Sequence, residues 1–346
     1  VGLGRIDDLE RAAASATVER VMVTNLRKHR AAIVTEAVAL AGHTRAFLKL
    51  QEGCDQFCSF CIVPTSRGMS RSVEPRRIVA ALDELAARGF KEVTLSGVHL
   101  GGYGNDLDPP VALESLLEMI AERSPIERVR LSSLDPEELT DRIIDLVSAS
   151  PKFCPHFHLP LQAGHDEVLA RMRRRYDTAH YRGRVERIVD AMPDAAIGAD
   201  LIVGFPGETA AQFDASAEFV SSLPLAYLHV FPYSMRSGTT AAKLPAKVAT
   251  AEVHRRAAEM REVDGRLRRH FMSRFVGSRL NVLLEERGKD GRLRGLSRNY
   301  LRVMTDGTDE LRNQEVEVEV QLVEGAALSG KIAAAGPTAQ AGTAAA

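Results

Sequence analysis

The sequence predicts an α/β chain: a parallel sheet, open or closed into a partial barrel, followed by a small antiparallel β-barrel. Two observations predict it. From about residue 44 to 243, short apolar runs alternate with amphipathic segments about six times, the pattern of buried strands joined by crossover helices. In the last 70 residues the apolar period drops to two, and Gly/Asp turns separate the runs, as in half-exposed antiparallel strands. At 346 residues the chain is long for one domain. It divides at 1–42, 43–272, 273–334 and 335–346, the last an Ala/Gly/Thr tail with no means of building a core.

The strand candidates of the first part are AFLKL, EVTLSGV, RVRLSSL, FHLPLQ, AIGADLIVGF and AYLHVFPY. Helices are expected to begin near Pro75, Leu113, Glu137, Asp166, Tyr181 and Thr209. Glu74-Pro75 leads into RRIVAALDELAARG, closed by Gly89, a start and a stop signal. In DPEELTDRIIDLV, Asp135 reads as the N-cap and Pro136 as the first helical residue. Upstream, Ile33, Ala37 and Leu40 have helical spacing. Downstream, a basic helix over 250–274 precedes the strand candidates RLNVLLEE, LRGLSRNYLRVMT and EVEVEVQLVEG.

Apolar residues at 45% and charged residues at 26% are the profile of a soluble globular protein. No apolar run approaches the roughly 20 residues a bilayer requires, and the opening VGLGRIDDLERAAAS lacks the basic-then-apolar order of a signal peptide. A cytoplasmic protein without membrane or DNA partners is the expectation. Net charge is −1, so only its distribution is informative. Residues 243–302 hold 16 Lys and Arg against 7 Asp and Glu, and Arg171, Arg173, Arg174 and Arg175 form a second cluster. Such runs are often solvated faces, but two of them on a near-neutral chain favour a polyanion.

Three of the four cysteines, Cys54, Cys58 and Cys61, fall within CDQFCSFC, and the fourth is Cys154. Disulfides at this spacing are strained. Zinc wants four ligands, which here would require Cys154 or a histidine such as His158. A four-iron cluster on three thiolates instead keeps one iron open to a ligand. The cysteines follow the strand AFLKL, and strand C-terminal ends are where parallel α/β folds place their chemistry. LSGVHLGGYG and LIVGFPGE are two further strand ends running into glycine turns, where backbone can approach a ligand closely.

The string C-x₃-C-x-aromatic-C, with Phe60 before the last cysteine, resembles the signature of the radical S-adenosylmethionine superfamily. The resemblance implies a [4Fe-4S] cluster whose open iron is chelated by the methionine part of S-adenosylmethionine, giving a 5′-deoxyadenosyl radical on one-electron reduction. It also implies that Gly97 and Val98 offer backbone groups to the methionine amine. Ser133, Gln162 and Asp200, at successive strand ends, are candidates for hydrogen bonds to the cofactor's carboxylate or ribose, with ordinary loop capping as the alternative. Arg67 and Arg71 are candidates to meet substrate phosphate or the cofactor carboxylate. Cys154 reads as a small buried residue. Of His156 and His158, one is expected to face the barrel interior as a packed, hydrogen-bonded side chain. No catalytic acid or base is singled out.

KLQEGCDQFCSFCIVPTSRG, LSGVHLGGYG, CPHFHLPLQAGHDEVLARMRRRY and GADLIVGFPGET together resemble the methylthiotransferases of that superfamily, over roughly residues 15–332. GVHLGGYG looks like the branch acting on N6-threonylcarbamoyladenosine in tRNA, at position 37 beside the anticodon. The isopentenyladenosine branch, a branch modifying a ribosomal-protein aspartate, and a chain that binds cluster and RNA without inserting sulfur remain the alternatives. The resemblance implies a tRNA anticodon stem-loop as substrate and an electron donor such as flavodoxin or ferredoxin. The last domain resembles the TRAM RNA-binding barrel, with Arg292, Arg294, Arg298 and Tyr300 as candidate RNA contacts. Family members begin with a domain holding a second [4Fe-4S] cluster on three more cysteines. Residues 1–42 resemble only the end of that domain, and Gly2 stands where its last cysteine would align. The expectation is a piece of a longer protein, with the second cluster confined to the full-length family member.

Overall fold

The structure is a computed structural model that describes residues 44–333 and the backbone of Ala37–Val38. The expected remnant 1–42, apart from that pair, and the tail 335–346 lie outside the described residues. The chain divides into two compact units between Leu267 and Arg268, and each is described separately.

In the first unit six parallel strands form two sheets. One contains β2 (Arg45–Glu52), β4 (Glu92–Gly97) and β5 (Arg128–Leu131); the other contains β6 (His156–His158), β7 (Ala196–Val203) and β8 (Tyr227–Pro232). Parallel bridges Val129–Phe153 and Ser133–His158 link β5 to the β6 segment, so the strands run on as a partial barrel. Two short antiparallel strands, β1 (Ala37–Val38) and β3 (Arg71–Ser72), pair with β2. The helical spacing at Ile33, Ala37 and Leu40 therefore misleads at Ala37, which pairs with Leu48. The open edge of β2 supplies hydrogen bonds that outweigh a weak local preference.

Among the described residues the α-helices are α1 (Val63–Ser66), α2 (Pro75–Ala87), α3 (Leu113–Arg123), α4 (Asp141–Ala149), α5 (Asp166–Met172), α6 (Thr178–Ala191), α7 (Ala210–Ser221) and α8 (Thr250–Ser273). Their buried residues recur at helical spacing, as in Ile78, Leu82 and Leu85 of α2 or Leu113, Leu116, Leu117 and Ile120 of α3. These ridges cover the sheets, and β5 is buried on both faces, with all four of its residues buried. Thr209 caps α7 through a reciprocal capping box with Gln212. The expected start at Asp135 is wrong: the helix begins at Asp141, with Thr140 accepting from Ile143 N. Asp135 closes a single turn through its carbonyl, and its carboxylate is taken by Arg174. FHLPLQ is likewise a strand only as far as His158.

At the start of β4 and β5, the end of the sheet away from Gly97, Glu92 accepts from Arg128 Nε at 2.8 Å and from Arg130 Nε at 2.8 Å. All three side chains are essentially inaccessible. Burial by itself raises the Glu92 pKa, but Arg130 first, and then Arg128, bring it down to about 2. No helix among the described residues is long and apolar enough to cross a membrane.

The second unit is a closed five-stranded barrel of β9 (Arg279–Arg287), β10 (Leu293–Ser297), β11 (Arg302–Thr305), β12 (Glu315–Glu324) and β13 (Ala327–Ile332), ordered β10-β11-β13-β12-β9. The expected antiparallel character holds except at the closing pair β11–β13, which is parallel. LRGLSRNYLRVMT makes two strands rather than one, and β13 completes the ring. Gly295 marks a bulge against β9, where a Cβ would sit 2.3 Å from the Leu283 carbonyl oxygen.

Candidate functional site

β2 is followed by Gly53, whose φ of +77° and close approach to the Met69 carbonyl oxygen leave no room for a side chain. The chain then turns through Cys54-Asp55-Gln56-Phe57-Cys58-Ser59-Phe60-Cys61 at the C-terminal end of the strand. Backbone bonds hold this loop on several sides: Cys54 N to Gly68 O (3.1 Å), Ser59 N to Met172 O (2.9 Å) and Ala241 N to Ser59 O (2.7 Å). Side chains add to them. Gln51 Nε2 donates to Gly53 O and Ser70 Oγ, both at 2.8 Å, and Ser70 N donates to Asp55 Oδ1. Gln56 Nε2 reaches His99 Nε2 (2.9 Å), Glu138 Oε1 (3.1 Å) and Glu137 Oε1 (3.3 Å).

The three thiols are partly buried and unbridged, and they lie near enough to influence one another. Burial, aided by the charges of Cys58 and Cys61, pushes the Cys54 thiol up to about 12. Burial raises Cys58 as well, opposed by Arg174. Cys54 and Cys58 are therefore unfavourable as bare thiolates; beside a cationic centre they are favourable, because a coordinating thiol is deprotonated outright. Arg174 Nη1 donates to Cys58 Sγ at 3.1 Å.

Residues 48–220 match the Radical SAM superfamily. Threonylcarbamoyladenosine tRNA methylthiotransferase MtaB of Bacillus subtilis is 34% identical over 302 residues, 86% of this chain and 67% of that protein. Its Aquifex aeolicus counterpart is 39% identical over 77% of this chain and 63% of its own length. A tRNA-2-methylthio-N(6)-dimethylallyladenosine synthase of Symbiobacterium thermophilum is 36% identical over 82% of this chain and 62% of its own length. This chain belongs to the radical SAM methylthiotransferases. It spans about two thirds or less of the length of these relatives.

The cofactors of this radical SAM methylthiotransferase are a [4Fe-4S] cluster and S-adenosylmethionine. The donor set suits the cluster: three thiols on one loop, with the fourth cysteine elsewhere. Cys154 is buried, with its Sγ 4.0 Å from Glu92 Oε2 at the opposite end of β4.

The other sequence candidates fall into two groups. Gly97 ends β4 against Gln51, and Val98, half-exposed, follows it. His99 N donates to Gln51 Oε1 at 2.8 Å, tying this strand end to the cysteine loop. Ser133 and Asp200 are joined by histidines that the sequence did not single out as partners, and Gln162 N donates to Asp200 O at 2.8 Å. Ser133 Oγ lies 2.7 Å from His158 Nδ1; Asp200 Oδ1 lies 3.1 Å from both His158 Nε2 and His229 Nδ1. Burial raises the Asp200 pKa, but the two histidines hold it down at about 2. Gln162 (φ +68°) and Asp200 line a cavity of about 230 Å³ with Phe60, Phe231 and Tyr233.

Both His156 and His158 lie against Tyr227, with ring centroids 6.1 and 6.2 Å away, rather than one alone facing inward. Residues i and i+2 of a strand share a face. Arg67 pairs with Glu52 at 3.0 Å, and Arg71 Nη2 donates to Arg67 O.

The arginine cluster 171–175 is not one solvated face. Arg171 bonds Gln212 Oε1 and Gly207 O, and Arg174 turns inward to Cys58 and Asp135. Two further groups had no clear sequence signal: His99, 2.6 Å from Glu138 Oε1, and His229. Burial disfavours the His99 cation, but Glu138 outweighs this and raises its pKa.

The second unit's candidates lie at its surface. Arg292 is clamped by Asp290 and Glu324, Arg298 by Glu315, and Arg294 reaches Asp290 at 3.4 Å. Tyr300 is 40% exposed. Between 279 and 333, nine Lys and Arg stand against ten Asp and Glu. The excess of residues 279–302 is thus offset by acidic residues of β12 and the turn before it, and the barrel as a whole is not basic.

Proposed function

We propose that this chain is the radical-generating and RNA-binding part of a tRNA methylthiotransferase. Its substrate is N6-threonylcarbamoyladenosine at position 37, beside the anticodon, and the methylthio group goes to C2 of the adenine. The observation that carries the reading is the loop of Cys54, Cys58 and Cys61, pinned at the C-terminal mouth of a parallel partial barrel. These three thiolates hold the [4Fe-4S] cluster; Gly97 and Val98 offer backbone groups to the methionine part of S-adenosylmethionine. Ser133, Gln162 and Asp200 present hydrogen-bonding groups toward its carboxylate and ribose, with His158 and His229 fixing Asp200. When bound and reduced by one electron from a flavodoxin- or ferredoxin-type donor, these cofactors supply a 5′-deoxyadenosyl radical. The protein's own part is to exclude water and align the adenine. A cytoplasmic setting, where tRNA and reduced thiols coexist, fits a loop of three thiols that form no disulfide.

The second reading, dimethylallyladenosine as substrate, is favoured by the Symbiobacterium thermophilum relative at 36% identity. The test is nucleoside mass spectrometry on tRNA carrying either modification. Apart from the cysteine loop, the chain as given has only Cys154, too few thiols for a second three-thiolate cluster. Reduced and reconstituted, it is expected to cleave S-adenosylmethionine slowly and to form no methylthio product alone. Product from this chain alone would overturn the account of its cysteines.

The barrel's role rests on Arg292, Arg294, Arg298 and Tyr300. With about four phosphate contacts to unpaired RNA, a fourfold rise in salt weakens binding roughly fiftyfold. Arg292→Glu with Arg294→Glu weakens tRNA binding and leaves cluster content unchanged. An unchanged affinity in a two-salt fluorescence titration would remove this face from the RNA-binding account.

A further inference from the structure

We propose that Arg174 is a positioning residue that raises the reduction potential of the iron–sulfur cluster through its hydrogen bond to the Cys58 sulfur. The inference rests on the reading that Cys54, Cys58 and Cys61 hold that cluster.

α5 ends at Met172, and Arg173 adopts a left-handed conformation (φ +61°) that reverses the chain. Arg174 therefore turns back under the cysteine loop instead of extending the surface arginine run, and its side chain is only 6% exposed. Each guanidinium nitrogen has its own partner. Nη1 donates to Cys58 Sγ (3.1 Å), Nε donates to Tyr176 Oη (3.2 Å), and Nη2 pairs with Asp135. Tyr176 is itself fixed, because its hydroxyl donates to Pro160 O at 2.7 Å. The same loop is tied to the end of α5 through Ser59 N to Met172 O and Ser59 Oγ to Arg171 O. The cysteine loop and the guanidinium are thus each held by several hydrogen bonds.

Reduction adds one negative charge to a centre held by thiolates. A fixed cation in contact with one of those sulfurs, away from water, stabilises the reduced form more than the oxidised form. Hydrogen bonds to cluster sulfurs act in the same direction. Asp135 opposes the effect, but Arg174 touches the sulfur directly and Asp135 does not, so Arg174 dominates. A purely structural role differs in outcome: pinning the loop would govern how much iron is held and leave the potential of the held cluster alone.

The experiment is a one-electron titration of the anaerobically reconstituted chain with dithionite and mediators, read by the paramagnetic signal of the reduced cluster. Iron per chain is measured in parallel. At the potential where the unaltered protein is half reduced, Arg174→Gln is expected to lower the reduced-to-oxidised ratio about tenfold, about 59 mV for a one-electron couple. Arg174→Lys, which keeps the charge, restores most of that ratio. Asp135→Asn, which removes the opposing charge, raises it. An iron-loaded Arg174→Gln protein that titrates like the unaltered one overturns the proposal. If Arg174→Gln holds no iron, Asp135→Asn decides, and an unchanged ratio there overturns the proposal equally. Absence of iron in the unaltered protein would instead sink the cluster assignment.

Discussion

Glu92→Ala is expected to lower the stability of the first unit by about 3–5 kcal/mol, because it strips two buried guanidiniums of their shared counter-charge. Arg128 and Arg130 are 0% and 2% exposed and reach Glu92 at 2.8 Å each. Neither can recover water without opening the end of the sheet. Glu122→Ala, at an exposed position on α3, serves as control and is expected to stay within about 0.5 kcal/mol. Denaturant unfolding of the two variants checks the contrast; equal midpoints would show that the buried network is dispensable. The pH dependence follows from the same group. Its folded pKa, about 2, lies below the ordinary 4.5, so the folded state favours the carboxylate. The stabilisation is fully present above about 4.5 and is lost as pH falls toward 2. Glu92→Gln is expected to flatten that part of the acid-unfolding curve.

Cys58→Ala is expected to abolish nearly all the visible absorbance of the reconstituted protein, which otherwise holds about four irons per chain. Two thiolates do not retain a four-iron cluster against chelators, and the remaining ligands sit on a loop with no other sulfur donor. Cys154→Ala provides the contrast: it removes a thiol beside Glu92 and leaves iron and absorbance unchanged. A triple variant of Cys54, Cys58 and Cys61 that kept the same iron and spectrum would refute the assignment. Iron lost equally on changing Cys154 would point to a four-thiolate centre instead.

Features that depend on near neighbours along the chain were legible from the residues alone. Three cysteines within eight positions must occupy one loop whatever the rest of the fold does. The alternation of buried strands and amphipathic helices gave the parallel sheet, and Glu74-Pro75 gave the start of α2. Local signals misled where a distant group competed. Asp135 has the residue type of an N-cap, but its carboxylate goes to Arg174, 39 positions away, and Thr140 caps the helix instead. Ala37 has helical spacing with Ile33 and Leu40, yet it pairs with Leu48 at the edge of β2.

Which charges face inward, and against what, depended on how distant segments pack. RVRL reads as a strand, but its two arginines share Glu92 from 36 and 38 positions away. MRRRY reads as a basic patch, but one of its arginines meets the sulfur of Cys58 across 116 positions. The physical reason is one of range. Backbone preference and side-chain periodicity act within a few residues. A buried charge is tolerable only beside a counter-charge, and chain topology alone brings the two together.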